Sequence, residues 1–594
     1  MATPRKRSPR KKKEAPVIKE EEEVKKEDEQ RTDPMTQDQP TSQKIAPIGT
    51  IGIGTTSSTM NPGRTPKEGL AAKLAGGEST CSAPHVMVKA LAGTGKTTTV
   101  VEGMKVVKGL PTTITPSPQQ AAVWEQMKLG KSDTIRFNAF GKAIATELQA
   151  RMEKSGLDKK GCEASTFHSL GCRAVNKALG RMDLSNFIVQ DMVAAAMGGD
   201  ARELKKEPSK LITLNATEEL VSLCKQNMLN QPDHEELEQL TSHYDIDLGD
   251  KPGEVYDLTA MVLEKCKSPK KTINFDDMVW LPAVLELPIP KSDVLIVDEA
   301  QDLNRMQQAL AYRAGHRIIF VGDIHQAIYG FAGADADSMP RMQRELSGGH
   351  GCVVIPLTVT RRCGKAIVRE AQRYVPEYEA HESNCEGLVG NAKWPVVKTE
   401  DERRELPWEE TYGPLVKPGD FVLCRVNAPL VSQCFRFLKR GIKANIQGRD
   451  VAKGLISTIT KSKKELVPQL VGWLSDWRFK ETEKENAKRN PSEAKLTAIQ
   501  DRYECLVCFT DGLSTVTEVL AKINTVFTDD KVSPGIKFSS IHKSKGLEAH
   551  RVFLLQPPGV GPRTDKMKPW EREQEDNLKY VAITRAIEEL TYVR

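Results

Sequence analysis

The chain has 594 residues, enough for several domains. Its hydrophobic share of 39% supports large cores, and no apolar run reaches membrane-spanning length. A net charge of +6 is small for this length, so the placement of charge says more than the sum. The 12 cysteines form no framework, which argues against a disulfide scaffold and for a reducing, intracellular setting. Cys505 and Cys508 make one C-x-x-C with no second pair nearby, and two helical thiols explain it better than a metal site.

Residues 1–70 read as a disordered charged tail and linker. Arg5 to Lys13 are almost all basic and Glu20 to Glu29 mostly acidic, and Gly, Ser, Thr and Pro follow. The basic run is either a nuclear address, a DNA tether or a solubilising tail. In a eukaryote, or a virus of one, it would direct the protein to the nucleus; otherwise cytoplasm or nucleoid is expected.

From about residue 80, short β-branched runs alternate with helical periods. Val86–Val88, Thr134–Phe137, Val294–Val297, Ile318–Val321, Val353–Leu357, Val422–Leu423, Ile536–Ser539 and Val552–Leu555 read as buried strands. The expected class is α/β with parallel sheets and functional loops at the strand C-termini. Residues 172–271 and 445–533 interrupt this pattern with charged helical sequence and read as insertions. Within the second, Leu466, Leu470, Trp473, Leu474 and Trp477 share a helical face, the mark of a core helix.

After the first strand comes Ala92-Gly93-Thr94-Gly95-Lys96-Thr97, a phosphate-binding loop. Its glycines let backbone N–H groups close around a polyphosphate, Lys96 reaches the β/γ-phosphates, and the Thr97 hydroxyl suits Mg²⁺. The general pattern has a Gly where this chain has Ala90. Asp298 and Glu299 follow a buried strand, where two carboxylates are costly without a cation or a reaction to serve. Asp298 suits Mg²⁺, and Glu299 suits orienting and deprotonating an attacking water. Gln326 lies just past another strand and can sense a γ-phosphate. Tyr329 and Phe331 sit on a Gly-flanked loop, either stacking on unpaired bases or capping a local apolar pocket. Thr166-Phe167-His168-Ser169 repeats the combination of an aromatic with small polar groups. The run Ser540–Glu548 offers cations, hydroxyls and a Gly to phosphate. Arg585 is a surface residue by default, and an arginine finger if the chain is a two-lobed ATPase.

In this order the segments resemble the motifs of superfamily 1 DNA helicases of the UvrD/Rep type. A-G-T-G-K-T is similar to motif I, A-F-G-K-A-I-A (Ala139–Ala145) to motif Ia and T-F-H-S to motif Ib. N-F-D-D-M (Asn274–Met278) resembles the segment ahead of motif II, and D-E-A-Q-D motif II itself. V-G-D-I-H-Q-A-I-Y-G-F-A-G-A (Val321–Ala334) resembles motif III, and L-T-V-T-R-R-C (Leu357–Cys363) motif IV. S-I-H-K-S-K-G-L-E resembles motif V, and Y-V-A-I-T-R-A motif VI.

The resemblance implies two RecA-like P-loop NTPase lobes: 1A over residues 71–171 and 272–345, and 2A over 346–444 and 534–594. Helical insertions 1B (172–271) and 2B (445–533) are expected beside them, and with Arg594 just past motif VI no appended nuclease domain is expected. It implies an ATP- and Mg²⁺-dependent motor moving 3′ to 5′ on single-stranded DNA and opening tailed duplexes, in repair, recombination or replication. Two other readings stay open: a translocase that strips proteins with little unwinding, and a DNA-binding scaffold with a weak ATP site. The implied ATP site comprises Ala92 to Thr98, Asp298, Glu299, Gln326, Arg362 and Arg585, with Glu548 on the ribose. The implied DNA contacts are Phe140, Phe167, His168, Tyr329, Phe331, His542 and Lys543. Arg361 stands where the family has an adenine-stacking Tyr, and a guanidinium can stack likewise. Motif III has Ala332 in place of an Arg, and motif Ia has Gly141 in place of an Asn. Gln119 and Gln120, after motif I rather than before it, are the available adenine readers.

Overall fold

The computed structural model describes residues 83–139, 141–244, 246–328, 338–348, 351–398, 403–487, 491, 493–528, 535–559 and 567–594. The tail and linker, Phe140, Tyr329, Phe331 and Ala332 lie outside the described residues.

Six strands form a first, all-parallel sheet: β1 (His85–Ala90), β2 (Ile135–Asn138), β3 (Cys162–Ser165), β4 (Ser292–Val297), β5 (Gly315–Gly322) and β6 (Cys352–Leu357). Their order is β3-β2-β4-β5-β1-β6. Every residue of β2 and β4 is buried, as expected of strands covered on both faces. Alternate residues feed two cores. Val86, Val88, Ile296 and Val321 pack on one side, beneath the helix Lys96–Val107. Met87, Leu295, Val297 and Phe320 pack on the other, in a core shared with the first helical insertion. There the helices Ile188–Ala196, Pro208–Asn227, His234–Tyr244 and Pro252–Cys266 pack on one another, and Pro208–Asn227 packs against Phe275–Val284, which in turn packs on Phe167–Leu179. Lys225, fully buried, crosses that boundary to an ion pair with Asp277 at 2.7 Å.

The second sheet has seven parallel strands: β7 (Leu388–Ala392), β8 (Phe421–Cys424), β9 (Ala444–Gln447), β10 (Phe527–Thr528), β11 (Ile536–Ser540), β12 (Ala549–Leu555) and β13 (Ala586–Val593). The order is β7-β13-β12-β8-β11-β9-β10. Helices from Arg449–Ser462 to Val516–Val526 form the second insertion. In the expected stripe Leu470 and Leu474 are fully buried, whereas Leu466 precedes the helix and is half exposed. Cys505 is buried on the helix Glu493–Thr510, and Cys508 is half-buried on it.

The α/β class with two parallel sheets is as expected, but two boundaries move. Residues 352–357, assigned from sequence to the second lobe, are the edge strand of the first sheet and pair with β1 along its length. The second insertion narrows, because 445–447 and 527–528 are strands of the second sheet.

The helix Pro569–Ile583 joins β12 to β13 and runs along the junction of the two sheets. At its start Trp570 stacks on His243 of the first insertion at 5.2 Å, and Lys568 donates to the Ser242 carbonyl. Midway, Gln574 and Asn577 donate to the Ile328 and Ala327 carbonyls, and Glu575 pairs with Arg425. Near its end Tyr580 reaches Ala92.

Candidate active site

The C-terminal ends of β1, β4 and β5 converge on the junction between the sheets. β1 runs into a turn whose Gly93 (φ 67°) and Gly95 (φ 80°) adopt left-handed backbone that favours glycine. Gly93 is also required by space: a Cβ there would stand 2.5 Å from Thr360 Oγ1 and 2.6 Å from Arg362 Cβ. Gly95 caps the helix Lys96–Val107, and neither a capping side chain nor a first-turn acid occupies that end. The positive end of the helix is thereby open to an anion.

Lys96 Nζ lies 3.9 Å from Glu299 Oε2. Burial pulls its pKa down, but Glu299, Asp323 and Asp298 together hold it above the ordinary lysine value, so it is a cation. The Thr97 hydroxyl donates to Asp298 Oδ2 at 3.0 Å. Burial and then the charge of Glu299 push the Asp298 carboxyl up. Glu299 goes the other way, because Lys96 and Lys545 outweigh its own burial. Glu299 has a left-handed backbone (φ 53°), unusual for a residue with a Cβ. Its N–H donates to Asp298 Oδ1, and its carboxylate accepts from Gln301 Nε2 at 2.5 Å. Gln301 Oε1 accepts the Asp323 N–H at 2.9 Å, and Asp323 Oδ2 accepts from Gln326 Nε2 at 2.6 Å.

The second lobe supplies the opposite wall: Arg361 and Arg362 follow a short strand, Val359–Thr360, that pairs with Glu379–Ala380, and Lys545 and Glu548 follow β11. Arg362 Nε pairs with Glu548 at 2.5 Å, and Arg361, exposed, donates its backbone N–H to the Gly93 carbonyl. Lys545 donates to both oxygens of Asp302, at 2.8 and 2.6 Å, and to the Gln326 carbonyl at 2.7 Å.

Of the residues expected from sequence, Lys96, Thr97, Asp298, Glu299, Gln326, Arg362 and Glu548 thus meet at one junction, with Thr98 exposed beside them. Glu548 is engaged by Arg362. Arg585 departs from expectation. It is 1% exposed, and its guanidinium donates to the Val581 and Leu547 carbonyls and to Thr584 Oγ1, all in its own lobe. Burial and the nearby Arg362 lower its pKa to about 10. In this structure it braces the loop carrying Glu548 and is not a free finger. Gln119 and Gln120 are also taken. Gln119 exchanges two hydrogen bonds with Thr358, and Gln120 bonds Ser117 and Thr99.

Among the expected DNA contacts, Phe167 is corrected: it is 3% exposed and belongs to the core beneath the first insertion. As the first residue of its helix it turns inward with Leu170 and Ala174. His168 is half-buried, edge-on to the half-exposed Phe275 at 6.3 Å. Burial lowers its pKa against the opposing charge of Asp276. His542 lines a cleft with Arg425, Asn427, Ser540, Thr497 and Asp501, beside the exposed Lys543. Burial, then Arg425 and Lys543, hold His542 down at about 3, so it is neutral. Sequence reasoning did not assign Phe275, Lys545 or Tyr580, although all three lie in motifs it marked, nor Arg425, just past the strand at Val422–Leu423. Tyr378 carried no sequence signal.

Residues 77–347 match the family model of the UvrD/REP helicase N-terminal domain. Over these residues the chain is similar to UvrD/REP helicases. It is 26% identical over 322 residues to F-box DNA helicase protein 1 of Schizosaccharomyces pombe, covering 50% of this chain and 33% of that protein. It is 27% identical over 253 residues to ATP-dependent DNA helicase PcrA of Bacillus subtilis, covering 40% and 32%. With ATP-dependent DNA helicase Rep of Buchnera aphidicola it shares 25% over 230 residues, covering 36% and 34%. The chain spans about a third of the length of these relatives. A solved complex of Arterivirus nonstructural protein 10 (helicase) with DNA aligns at TM-score 0.29 and 12% identity, over 88% of this chain and 62% of that one, a likeness too low to carry weight.

Proposed function

We propose that this protein is an ATP-dependent DNA helicase that moves 3′ to 5′ along single-stranded DNA. The observation that carries the reading is the assembly of Lys96, Thr97, Asp298 and Glu299 at the strand ends of one sheet, faced by Arg362 from the second lobe. The uncapped helix N-terminus and Lys96 bind the β/γ-phosphates of ATP. Thr97 and Asp298 present hard oxygen donors 3.0 Å apart, which fits Mg²⁺, an ion that takes few protein ligands and completes its shell with phosphate and water. When bound, the ion supplies neutralisation of phosphate charge. Glu299, ionised and aimed by Gln301, orients the attacking water and accepts its proton. Gln326, fixed by Asp323, reads the γ-phosphate end. Arg362 adds positive charge from the second lobe, so its contribution depends on how the lobes are seated.

Single-stranded DNA would cross the face carrying His168, Phe275, Arg425, His542 and Lys543. The neutral His542 offers hydrogen bonding and stacking, and Arg425 and Lys543 offer charge. The resemblance to PcrA and Rep, named as ATP-dependent DNA helicases, supports the substrate class.

The test is strand displacement on 3′-tailed, 5′-tailed and blunt duplexes, with ATPase measured in parallel and Lys96→Ala as control. Unwinding of the 3′-tailed duplex alone, abolished by Lys96→Ala, is the expected outcome. DNA-stimulated ATPase without displacement would replace helicase by protein-stripping translocase. Full ATPase in Lys96→Ala would remove the mechanism.

A further inference from the structure

The Ala92 peptide, at the root of the phosphate loop, is gripped at both ends by the second lobe. Ala92 is 1% exposed, so its N–H and C=O both need partners. Its N–H donates to the Tyr580 hydroxyl at 3.0 Å, and its C=O accepts from the Tyr378 hydroxyl at 2.9 Å. Both tyrosines are fully buried and stand edge to face, with ring centroids 5.7 Å apart. With Leu91 and Ala92 they form one core with Val368, Leu578 and Leu554 of the second lobe.

The Tyr580 hydroxyl has one proton, which it donates to Asp323 Oδ2 at 3.4 Å while accepting from Ala92. Asp323 is already bound to Gln326 and Gln301, and Gln301 to Glu299. A continuous hydrogen-bonded chain therefore runs from Glu299 through Gln301, Asp323 and Tyr580 to the phosphate loop. Its one member from the second lobe is Tyr580.

We propose that Tyr580 and Tyr378 are positioning residues that make the geometry of the phosphate loop, and the aim of Glu299, conditional on the seating of the second lobe. The proposal rests on the ATPase reading above. When the lobes part, Ala92 loses both partners and Asp323 loses one, so the loop and the water-orienting carboxylate relax together. When the lobes seat, both are restored in one step. Neither tyrosine touches substrate. Each acts through the backbone of Ala92, and Tyr580 also through Asp323.

The experiment compares full-length wild type with Tyr580→Phe, Tyr378→Phe and the double variant, which keep the rings and remove only the hydroxyls. Three quantities are read: ATPase kcat and KM with single-stranded DNA present, the exchange rate of the Ala92 amide, and the melting temperature. Loss of the hydroxyl that accepts from Ala92 and donates weakly to Asp323 predicts that Tyr580→Phe lowers kcat about tenfold, leaves KM for ATP within about twofold and speeds Ala92 exchange. Tyr378→Phe frees the Ala92 carbonyl and a weak contact with Cys363 Sγ, leaves the chain to Glu299 intact and lowers kcat less. Unchanged kcat in both variants overturns the proposal, as does a kcat loss that follows the melting temperature while Ala92 exchange stays at the wild-type rate. A wild type that hydrolyses no ATP would instead remove the functional reading. The exchange comparison then decides the clamp alone: fast exchange at Ala92 in wild type overturns it.

Discussion

Lys545 is the side chain whose removal should most loosen the junction between the lobes. Its side chain is 9% exposed, and its ammonium gives three hydrogen bonds, two to Asp302 and one to the Gln326 carbonyl. Lys545→Met keeps the length of the side chain and strands the Asp302 carboxylate, itself 2% exposed, without a cation. Stranding one partner of a buried pair costs about 3–5 kcal/mol. Burial already raises Asp302 from 3.8 to about 6, against the pull of Lys545. A folded-state pKa above the unfolded one means that stability falls as pH rises between the two values. That interval of about 2 units is worth about 3 kcal/mol. Without Lys545 the folded pKa climbs further, so the penalty of Lys545→Met should be largest near pH 8 and shrink on acidification toward about pH 5, as Asp302 takes a proton. Native-state hydrogen exchange of Asp323 to Ile328 reports the opening directly, and about 3 kcal/mol corresponds to roughly a hundredfold faster exchange. Lys545→Met combined with Asp302→Leu should recover most of the loss, since an apolar pair can replace a buried ionic one. The reasoning fails if Lys545→Met speeds exchange by less than about threefold at pH 8, or if the double variant is worse than the single one.

Gly171→Ala should destabilise the first lobe by about 3 kcal/mol, read as a lowered denaturation midpoint, because its Cβ would collide with the Met278 carbonyl where two helices cross. An unchanged midpoint would mean that the crossing yields. Lys225→Met should cost a similar amount, about 3–5 kcal/mol, by leaving Asp277 buried without its cation. Adding Asp277→Leu should return part of it, and additive losses in the two single variants would contradict the pairing. His542 should not titrate between about pH 5 and 8 by NMR, where an ordinary histidine passes its midpoint near 6.5. With its folded pKa down at about 3, it stays neutral in the native state, and stability is lost as pH falls from about 6.5 toward 3. A midpoint near 6.5 would place His542 in open solvent.

The parts of the site written in local sequence were legible. The loop at Ala92–Thr97 and the pair Asp298–Glu299 follow strands whose β-branched runs mark them, and the strand ends bring them together. What the sequence hid was non-local. Nothing in Val353–Leu357 says which sheet it joins, because parallel pairing is decided by partners far along the chain, here His85–Ala90. Phe167 looked like a DNA-stacking residue because its neighbours are polar. The turn of its helix decides instead, and sends it inward. Arg585 has the right position in a motif for a finger, but three acceptors in its own lobe hold its guanidinium. Tyr378 sits 286 positions from the peptide it holds, with no local pattern to announce it.

The helix Pro569–Ile583 has a mechanical consequence. At 15 residues it is about 22 Å long. Tyr580 fastens it beside the phosphate loop, and Trp570, ten positions earlier, rests on His243. It therefore links the nucleotide end to the first insertion across an arm of about 15 Å. A pivot of only about 10° at Tyr580 swings Trp570 by roughly 2.6 Å on an arm of that length, enough to slide one ring off another. On its way the same stroke drags Glu575 and with it Arg425, in the cleft where His542 sits. A sub-ångström change at Ala92 would thus arrive at the first insertion as a displacement of several times its size, with Arg425 carried partway.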